Sequence, residues 1–335
     1  PRSDSLSLSL PLFSSSSGHT GRLHASPAPA PAPARTRIAR PFSTAATTAK
    51  QKQNQARDTA RSPQPTIKIV EVGPRDGLQN EPPPIVSVKD KVELIRKLER
   101  AGCSNIEVGA FVSPKWIPQM VGSSEVLNGL RREELPAENA GAANGTRARY
   151  SVLVPNLRGL EQALADGTGV IDEIAIFGAA SEEFTKRNIN STIDKSFERF
   201  RAVVDRIRDT QHNNDNDNDK PLLVRGYVST VIACPYQGAI EPNQVARVVE
   251  QMLELGCHEV SLGDTIGVGT PLSTRNMLDE VLNVAKPSQL AMHCHDTYGQ
   301  ALANILVGLE KEIYTIDSSV AGLGGCPYAK GASGN

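Results

Sequence analysis

From Thr66 onward, short runs of β-branched and apolar residues alternate with amphipathic stretches, which is the pattern of repeated strand–helix units around a parallel sheet. Eight runs predict strands: Ile67–Val72, Asn105–Phe111, Tyr150–Val154, Glu173–Phe177, Leu222–Val228, Glu259–Leu262, Leu290–Cys294 and Thr315–Val320. The segments between them predict seven helices: Val88–Ala101, Ser123–Arg131, Leu157–Ala165, Ile193–Arg208, Pro242–Leu255, Pro271–Ala285 and Gly299–Glu310. This count predicts an α/β fold, a (β/α)₈ TIM barrel whose last helix is missing. A doubly wound open sheet is the alternative, because sequence alone does not give the order of the strands.

Polar residues recur where the predicted strands end, and in such a barrel this rim carries the reactive groups. His293 and His295 end the seventh strand, where side chains two residues apart leave the same face about 7 Å apart and can reach one cation. Asp76 follows the first strand and Asn335 follows the eighth, and a closed barrel makes these strands neighbours. The mixed nitrogen and oxygen donors suit Mg²⁺ or Mn²⁺. Two ordinary histidines are the alternative for an isolated His-x-His.

Composition narrows the class of protein. The chain has 335 residues, of which 39% are hydrophobic and 22% charged, and no apolar stretch approaches the roughly 18 residues of a membrane span. A net charge of −1 argues against a nucleic-acid partner. The five cysteines are odd in number and show no zinc-ribbon spacing, which favours a reducing compartment.

The first 62 residues differ from the rest. They contain a serine-rich stretch and an Ala-Pro repeat, and residues 1–61 carry nine Lys and Arg against two Asp. Such a segment buries too little apolar area to order itself, and its basic, acid-poor composition is that of an organelle transit peptide. We therefore predict a disordered, transit-peptide-like segment over 1–62 and a catalytic domain over 66–335. A generic flexible tail is the alternative for the first segment.

Four stretches resemble one enzyme family closely: Val72–Glu81, Phe111–Trp116, Ser261–Gly267 and Ser319–Tyr328. They are similar to the corresponding stretches of the 3-hydroxy-3-methylglutaryl-CoA lyases, and the resemblance runs from about Ile67 to Asn335. It implies a metal-dependent carbon–carbon lyase that cleaves an acyl-CoA to acetyl-CoA and acetoacetate, in leucine degradation and ketone-body formation. It further implies the mitochondrial matrix, a homodimer when the protein is full length, and neither a membrane nor a nucleic acid as partner.

The resemblance also implies residue roles. Asp76, His293, His295 and Asn335 would bind the metal, Arg75 would act as the electrophile beside the substrate carbonyl, and Cys326 would be the acid or base on a mobile loop. Glu107 and Asp264 would support catalysis.

Each supporting carboxylate keeps a structural alternative. Asp264 could cap the turn before Thr265, and Glu107 could be a structural partner of Arg75. The group that takes the substrate's hydroxyl proton stays open between Asp264, a histidine and a metal-held water.

Members of that family continue beyond the position of Asn335 with a helix that closes the barrel. We therefore expect the first and eighth strands to lack cover, to expose apolar surface, and to leave this fragment unstable or inactive. Two other functions remain open: a Claisen-type synthase of the same superfamily, like the isopropylmalate and homocitrate synthases, and a catalytically silent fragment.

Overall fold

Eight parallel strands close into a barrel in the computed structural model, which describes residues 65–131, 147–212, 221–325 and 333–335. The strands of the described residues are β1 Lys68–Glu71, β2 Asn105–Ala110, β3 Arg149–Leu153, β4 Glu173–Ala179, β5 Leu223–Ser229, β6 Ala233–Cys234, β7 Gly238–Ala239, β8 Glu259–Asp264, β9 Leu290–Cys294 and β10 Thr315–Ser318. Strand β1 pairs with both β2 and β10, so the sheet has no free edge. The predicted barrel is therefore confirmed, and the open sheet is excluded.

Helices fill the connections between barrel strands. Those of the described residues are α1 Val88–Arg100, α2 Ser123–Gly129, α3 Leu157–Gly167, α4 Glu182–Ile189, α5 Ile193–His212, α6 Pro242–Leu255, α7 Pro271–Val281 and α8 Ala301–Glu310. All seven predicted helices are present. Within the described residues, no helix has the length and apolar character needed to cross a bilayer.

The sequence prediction missed α4 and the hairpin formed by β6 and β7. Helix α4 has only eight residues, and it is defined by its ends more than by a periodic pattern. The Ser181 side chain accepts a hydrogen bond from the Phe184 amide at its start, and Asn190 adopts a left-handed conformation at its end. Both are ordinary capping signals for a short helix.

The main apolar core lies between the strands and the helices. Side chains from helices and strands alike are almost completely buried there, among them Ile95, Leu127, Leu160, Phe200 and Met252. This layer fixes the helices on the barrel and aligns the strand ends that carry the site.

One side of β1 is open. Ile67 and Ile69 are 45% and 41% exposed, although both belong to the apolar run that predicts the strand. Within the described residues, only the short 3₁₀ turn Val320–Gly322 follows β10. Apolar surface is therefore exposed beside β1 as expected, whereas Ile316 of β10 is buried, so the same expectation for the eighth strand is wrong. The effect on stability stays a prediction.

The interior of the barrel carries charge, whereas barrels of this kind commonly fill it with branched apolar layers. Arg225 of β5 is only 1% exposed and forms ion pairs with Glu259 of β8 and Asp317 of β10. Lys68 of β1 reaches the same Glu259 from the end where the strands begin. These ion pairs line the barrel interior and extend towards the ends of the strands.

Two parts of the sequence prediction lie outside the described residues. They are the transit-peptide-like segment 1–62 and Cys326. The proposed boundary between that segment and the catalytic domain stays a prediction.

Candidate active site

A tight turn brings Arg75 and Asp76 to the mouth of the barrel. The amides of Arg75, Asp76 and Gly77 all donate to the carbonyl oxygen of Val72, at 3.1, 2.7 and 3.2 Å. Glycine is required at Gly77, because a Cβ there would lie 2.7 Å from Ser319 Oγ and 2.9 Å from the carbonyl oxygen of Leu323. The turn therefore packs directly against the segment that follows β10.

Asp76, His293 and His295 converge, and each offers a ligand atom within 4.8 Å of the others. Nε2 of His293 lies 3.4 Å from Nε2 of His295 and 3.5 Å from Oδ2 of Asp76. An octahedral cation with bonds of about 2.1 Å places neighbouring ligands about 3 Å apart and opposite ligands about 4.2 Å apart. The distances and the donor types therefore fit a divalent cation at this point.

The second nitrogen of each imidazole also has a partner. Nδ1 of His293 lies 3.0 Å from Oδ2 of Asp317, and Nδ1 of His295 lies 2.9 Å from the carbonyl oxygen of Ser333. Such contacts orient metal-binding histidines in known sites.

The two imidazoles differ in pKa. Burial lowers the pKa of His293, but the hydrogen bond with Asp317 and the charge of Asp76 outweigh burial and leave it raised. The pKa of His295 is lowered by burial and by the neighbouring His293. The site therefore favours positive charge at His293 over His295.

Arg75 is buried between two carboxylates. Its Nη1 lies 2.7 Å from Oδ1 of Asp76, its Nη2 lies 2.7 Å from Oε2 of Glu107, and its guanidinium lies over the Tyr227 ring at 5.2 Å. Burial acts to lower the pKa of Arg75, but Glu107 and Asp76 outweigh it and raise the pKa. Arg75 is therefore a fixed positive charge beside the predicted cation site.

Glu107 contacts Arg75, as expected if its role is structural. Its Oε2 also accepts a hydrogen bond from the Tyr227 hydroxyl at 3.0 Å, whereas Oε1 is buried and has no partner among the described residues. Burial raises the pKa of Glu107 against the opposing charge of Arg75. The contact with Arg75 leaves a supporting catalytic role possible through Oε1, and that role stays a prediction.

Asp264 holds the loop that follows β8. Its Oδ1 accepts from the Val268 amide at 3.2 Å, and its Oδ2 accepts from the Gly269 amide at 2.7 Å. Burial raises its pKa, and these hydrogen bonds oppose the rise. Asp264 therefore has the structural role that the sequence left open, and its catalytic role stays a prediction.

Asn335 lies next to His293. Its Nδ2 is 3.2 Å from Nδ1 of His293, the nitrogen that faces Asp317, and its carbonyl oxygen accepts from the Ser319 amide at 2.8 Å. The structure thus places the Asn335 side chain beside the histidine ring, and its role as a metal ligand stays a prediction.

Sequence reasoning missed Asp317, Arg225 and Tyr227. The signal for Asp317 is present, because an Asp within the apolar run that forms β10 has to be paired, as Glu107 is within β2. The identity of the partner depends on how the barrel closes and is not readable from the strand itself.

Buried Lys91 and Gln119 connect the loop that follows β1 with the loop that follows β2. The Lys91 ammonium donates to the carbonyl oxygens of Gln119 and Val121, the latter at 2.9 Å. The Gln119 amide in turn donates to the carbonyl oxygens of Glu81, Pro82 and Pro84, at 3.1 to 3.3 Å. The same loop presents Trp116, which is 86% exposed, so its ring is not part of the core.

A closed barrel with clustered carboxylate, imidazole and guanidinium groups at its strand ends defines a (β/α)₈-barrel enzyme with a possible divalent-cation site. The HMGL-like family model matches residues 66–335. The chain belongs to this family.

Relatives of this chain carry the name that the sequence motifs predict. The mitochondrial hydroxymethylglutaryl-CoA lyase of Homo sapiens is 52% identical over 269 residues, covering 80% of this chain and 75% of that protein. The 3-hydroxy-3-isohexenylglutaryl-CoA/hydroxy-methylglutaryl-CoA lyase of Pseudomonas aeruginosa is 51% identical, covering 80% and 81%. The resemblance to hydroxymethylglutaryl-CoA lyases is therefore confirmed.

Solved structures agree with this relationship. The hydroxymethylglutaryl-CoA lyase of Pseudomonas aeruginosa has a TM-score of 0.70 at 50% identity, covering 81% of each chain. The lyase of Acinetobacter baumannii, solved with coenzyme A and 3-methylmalate, has a TM-score of 0.68 at 34% identity, covering 81% of this chain and 80% of that one.

We expect His295→Ala to weaken Mn²⁺ binding at least tenfold, because it removes one of three converging donors. Binding is measured by electron paramagnetic resonance of free Mn²⁺ during titration. The matched control is His258→Ala, a histidine paired with Glu173 where the strands begin, and it should bind Mn²⁺ like the wild type. Unchanged Mn²⁺ affinity in His295→Ala would contradict the cation site.

Proposed function

We propose that this protein cleaves 3-hydroxy-3-methylglutaryl-CoA to acetyl-CoA and acetoacetate. The observation that carries the proposal is Arg75, a fixed charge held 2.7 Å from Asp76 and directly beside the Asp76–His293–His295 group. The lyase names of the relatives at 51–52% identity support the same reaction. The coenzyme A in the Acinetobacter baumannii structure supports an acyl-CoA substrate.

The reaction breaks the bond between C2 and C3 of the substrate. The C3 hydroxyl loses its proton and becomes the ketone of acetoacetate, while the bonding electrons pass to C2 as the enolate of acetyl-CoA. A proton then adds to C2. The site must therefore accept one proton, stabilise negative charge on oxygen, and return one proton.

Arg75 suits the enolate. Its guanidinium is charged at every physiological pH, so it stabilises the thioester enolate oxygen without exchanging protons. Its Nε is buried and has no hydrogen-bond partner among the described residues. One donor of Arg75 is thus available to a substrate oxygen, while the other two nitrogens are held by Glu107 and Asp76.

Asp76, His293 and His295 would hold the cation, Mg²⁺ or Mn²⁺, with Asn335 as the fourth ligand implied by the family resemblance. A divalent cation bound there supplies Lewis-acid stabilisation of negative charge on the substrate oxygens. The chain's own contribution is to fix the donors: the turn after β1 holds Asp76, β9 holds His293, and His295 follows directly after β9.

The proton steps fall to the remaining groups. Glu107 Oε1 has no hydrogen-bond partner among the described residues and belongs to a carboxyl whose pKa is raised, so Glu107 suits the group that accepts the hydroxyl proton. Both Asp264 oxygens are engaged by loop amides, which suits Asp264 less to that step. Cys326 would return the proton to C2 from its glycine-rich loop.

The relatives also bear on the cellular location and the oligomeric state proposed for this protein. Relatives with mitochondrial and with cytoplasmic names are both similar to this chain. The basic, acid-poor composition of residues 1–62 favours import into the mitochondrial matrix. A homodimer of the full-length protein, with an acyl-CoA as its small-molecule partner, completes the proposal.

The direct test is an assay of the purified protein. We expect acetoacetate to form from 3-hydroxy-3-methylglutaryl-CoA in the presence of Mg²⁺ or Mn²⁺. The synthase alternative, which the lyase names of the relatives do not favour, predicts instead that acetyl-CoA condenses with a 2-oxo acid. Condensation without cleavage would overturn the proposal. The absence of both reactions would also overturn it and would favour the catalytically silent alternative.

Arg75→Lys should lower kcat about 10²- to 10³-fold, because a lysine keeps the charge but does not reach Asp76, Glu107 and the substrate together. Steady-state kinetics with 3-hydroxy-3-methylglutaryl-CoA measure the effect. Arg100→Lys, an exposed position at the end of α1, is the control and should leave kcat unchanged. A kcat for Arg75→Lys within threefold of the wild type would rule out the electrophilic role.

Cys326→Ser should reduce turnover by orders of magnitude, because a serine hydroxyl is a far weaker acid than a thiol. Mn²⁺ affinity should stay close to that of the wild type. Cys103→Ser makes the same change at a half-buried cysteine before β2 and should leave turnover intact. Unaltered turnover in Cys326→Ser rejects the acid–base role.

A further inference from the structure

Asp317 links the ion pairs of the barrel interior to the cation site. It lies in β10, is almost fully buried, and faces Arg225 on one side and His293 on the other. Its Oδ1 lies 2.7 Å from Nη2 of Arg225, and its Oδ2 lies 3.0 Å from Nδ1 of His293. It is not one of the three converging ligand residues.

The carboxylate of Asp317 is held against rotation. Its Oδ2 also accepts from the Ser261 hydroxyl at 2.7 Å and lies 3.3 Å from Nη1 of Arg225. Arg225 is fixed in turn, because its Nε donates to Glu259 at 2.9 Å and its Nη1 donates to the Tyr227 hydroxyl at 2.9 Å. The group that faces His293 is therefore positioned by contacts from β5, β8 and β10.

An ionised carboxylate has acceptors only, so the contact at 3.0 Å requires the proton on Nδ1 of His293. Neutral imidazole carries one proton, and Nε2 then keeps its lone pair. That lone pair faces Asp76 and His295, where the cation would bind. The Asn335 amide nitrogen also lies 3.2 Å from Nδ1, but the shorter contact with the ionised carboxylate of Asp317 outweighs it and sets the tautomer.

We propose that Asp317, held by Arg225, is a positioning residue that fixes the Nδ1-protonated tautomer of His293 and so keeps Nε2 open to the cation. The inference rests on the cation site of the proposed function. It adds a residue that acts through His293 and needs no contact with the substrate. Second partners of metal-binding histidines commonly change metal affinity 10- to 100-fold when they are replaced.

The decisive variant is Asp317→Asn. The amide oxygen of the new side chain would turn towards the Arg225 guanidinium, since the amide nitrogen is repelled there, and the nitrogen would then face His293. A donor opposite Nδ1 favours the tautomer with the proton on Nε2, which occupies the cation's position. The substitution therefore traps the wrong tautomer with almost no change in volume.

Two measurements report on this variant without any lyase assay. In metal-free, ¹⁵N-histidine-labelled protein at a pH where His293 is neutral, the NMR shifts of His293 should show the Nδ1–H tautomer in the wild type and the Nε2–H tautomer in Asp317→Asn. The Mn²⁺ dissociation constant, from electron paramagnetic resonance of free Mn²⁺, should rise 10- to 100-fold in the variant.

Glu259→Gln is the matched control. It makes the same carboxylate-to-amide change in the other acidic partner of Arg225, with the same loss of one buried charge, but Glu259 contacts Lys68, Arg225 and Thr315 and not His293. Because the glutamine oxygen can still accept from Nε of Arg225, this variant should keep the Nδ1–H tautomer of His293 and an Mn²⁺ affinity within threefold of the wild type.

Three outcomes would overturn the proposal: the Nε2–H tautomer in neutral His293 of the wild type, unchanged tautomer and affinity in Asp317→Asn, or an equal loss of affinity in Glu259→Gln. The wild-type spectrum needs no variant, so the proposal stays testable if Asp317→Asn does not fold. Because neither readout involves turnover, these failures are distinct from failure of the proposed lyase reaction.

Discussion

The ion pairs of Arg225 are the constraint on which the site depends. A guanidinium buried inside a barrel is costly unless its donors are all paired, and Arg225 meets this condition through Glu259, Asp317 and Tyr227. Tyr227 then contacts Glu107, which holds Arg75, while Asp317 contacts His293. The buried guanidinium of Arg225 thus positions both Arg75, the proposed electrophile, and His293 of the proposed cation site.

The fold was largely predictable because its signal is local and repeated. Each barrel strand is an apolar run flanked by turn residues, and the order of runs and amphipathic segments gives the barrel by count. Asp76, His293 and His295 follow from the rule that strand ends meet at one rim. The pairing of Asp317 with Arg225 does not follow from that rule. The two residues are 92 residues apart in sequence, and their strands come together only when the barrel closes.

Glu107 and Asp264 show where sequence reasoning reaches its limit. Glu107 lies on a predicted strand and Asp264 just after one, near the same rim, and both carry a functional and a structural interpretation. In the structure Asp264 is engaged by two amides of its own loop, a local interaction. Glu107 is instead held by Arg75 of the turn after β1 and by Tyr227 of β5, and its Oε1 has no partner among the described residues. The difference arises from tertiary contacts and not from residue type.

The charge of the interior gives an independent reason for a cation. Along the connected network of described residues, the cations Lys68, Arg75 and Arg225 face the carboxylates of Asp76, Glu107, Glu259 and Asp317, so negative charge exceeds positive by one. An unbalanced charge is costly where water is excluded. The raised pKa of His293 follows this negative charge, because the hydrogen bond with Asp317 and the charge of Asp76 outweigh burial and favour an added proton on the ring. A divalent cation beside Asp76 would also supply positive charge without a proton on Nε2, so protons and the proposed cation would compete for the same negative groups.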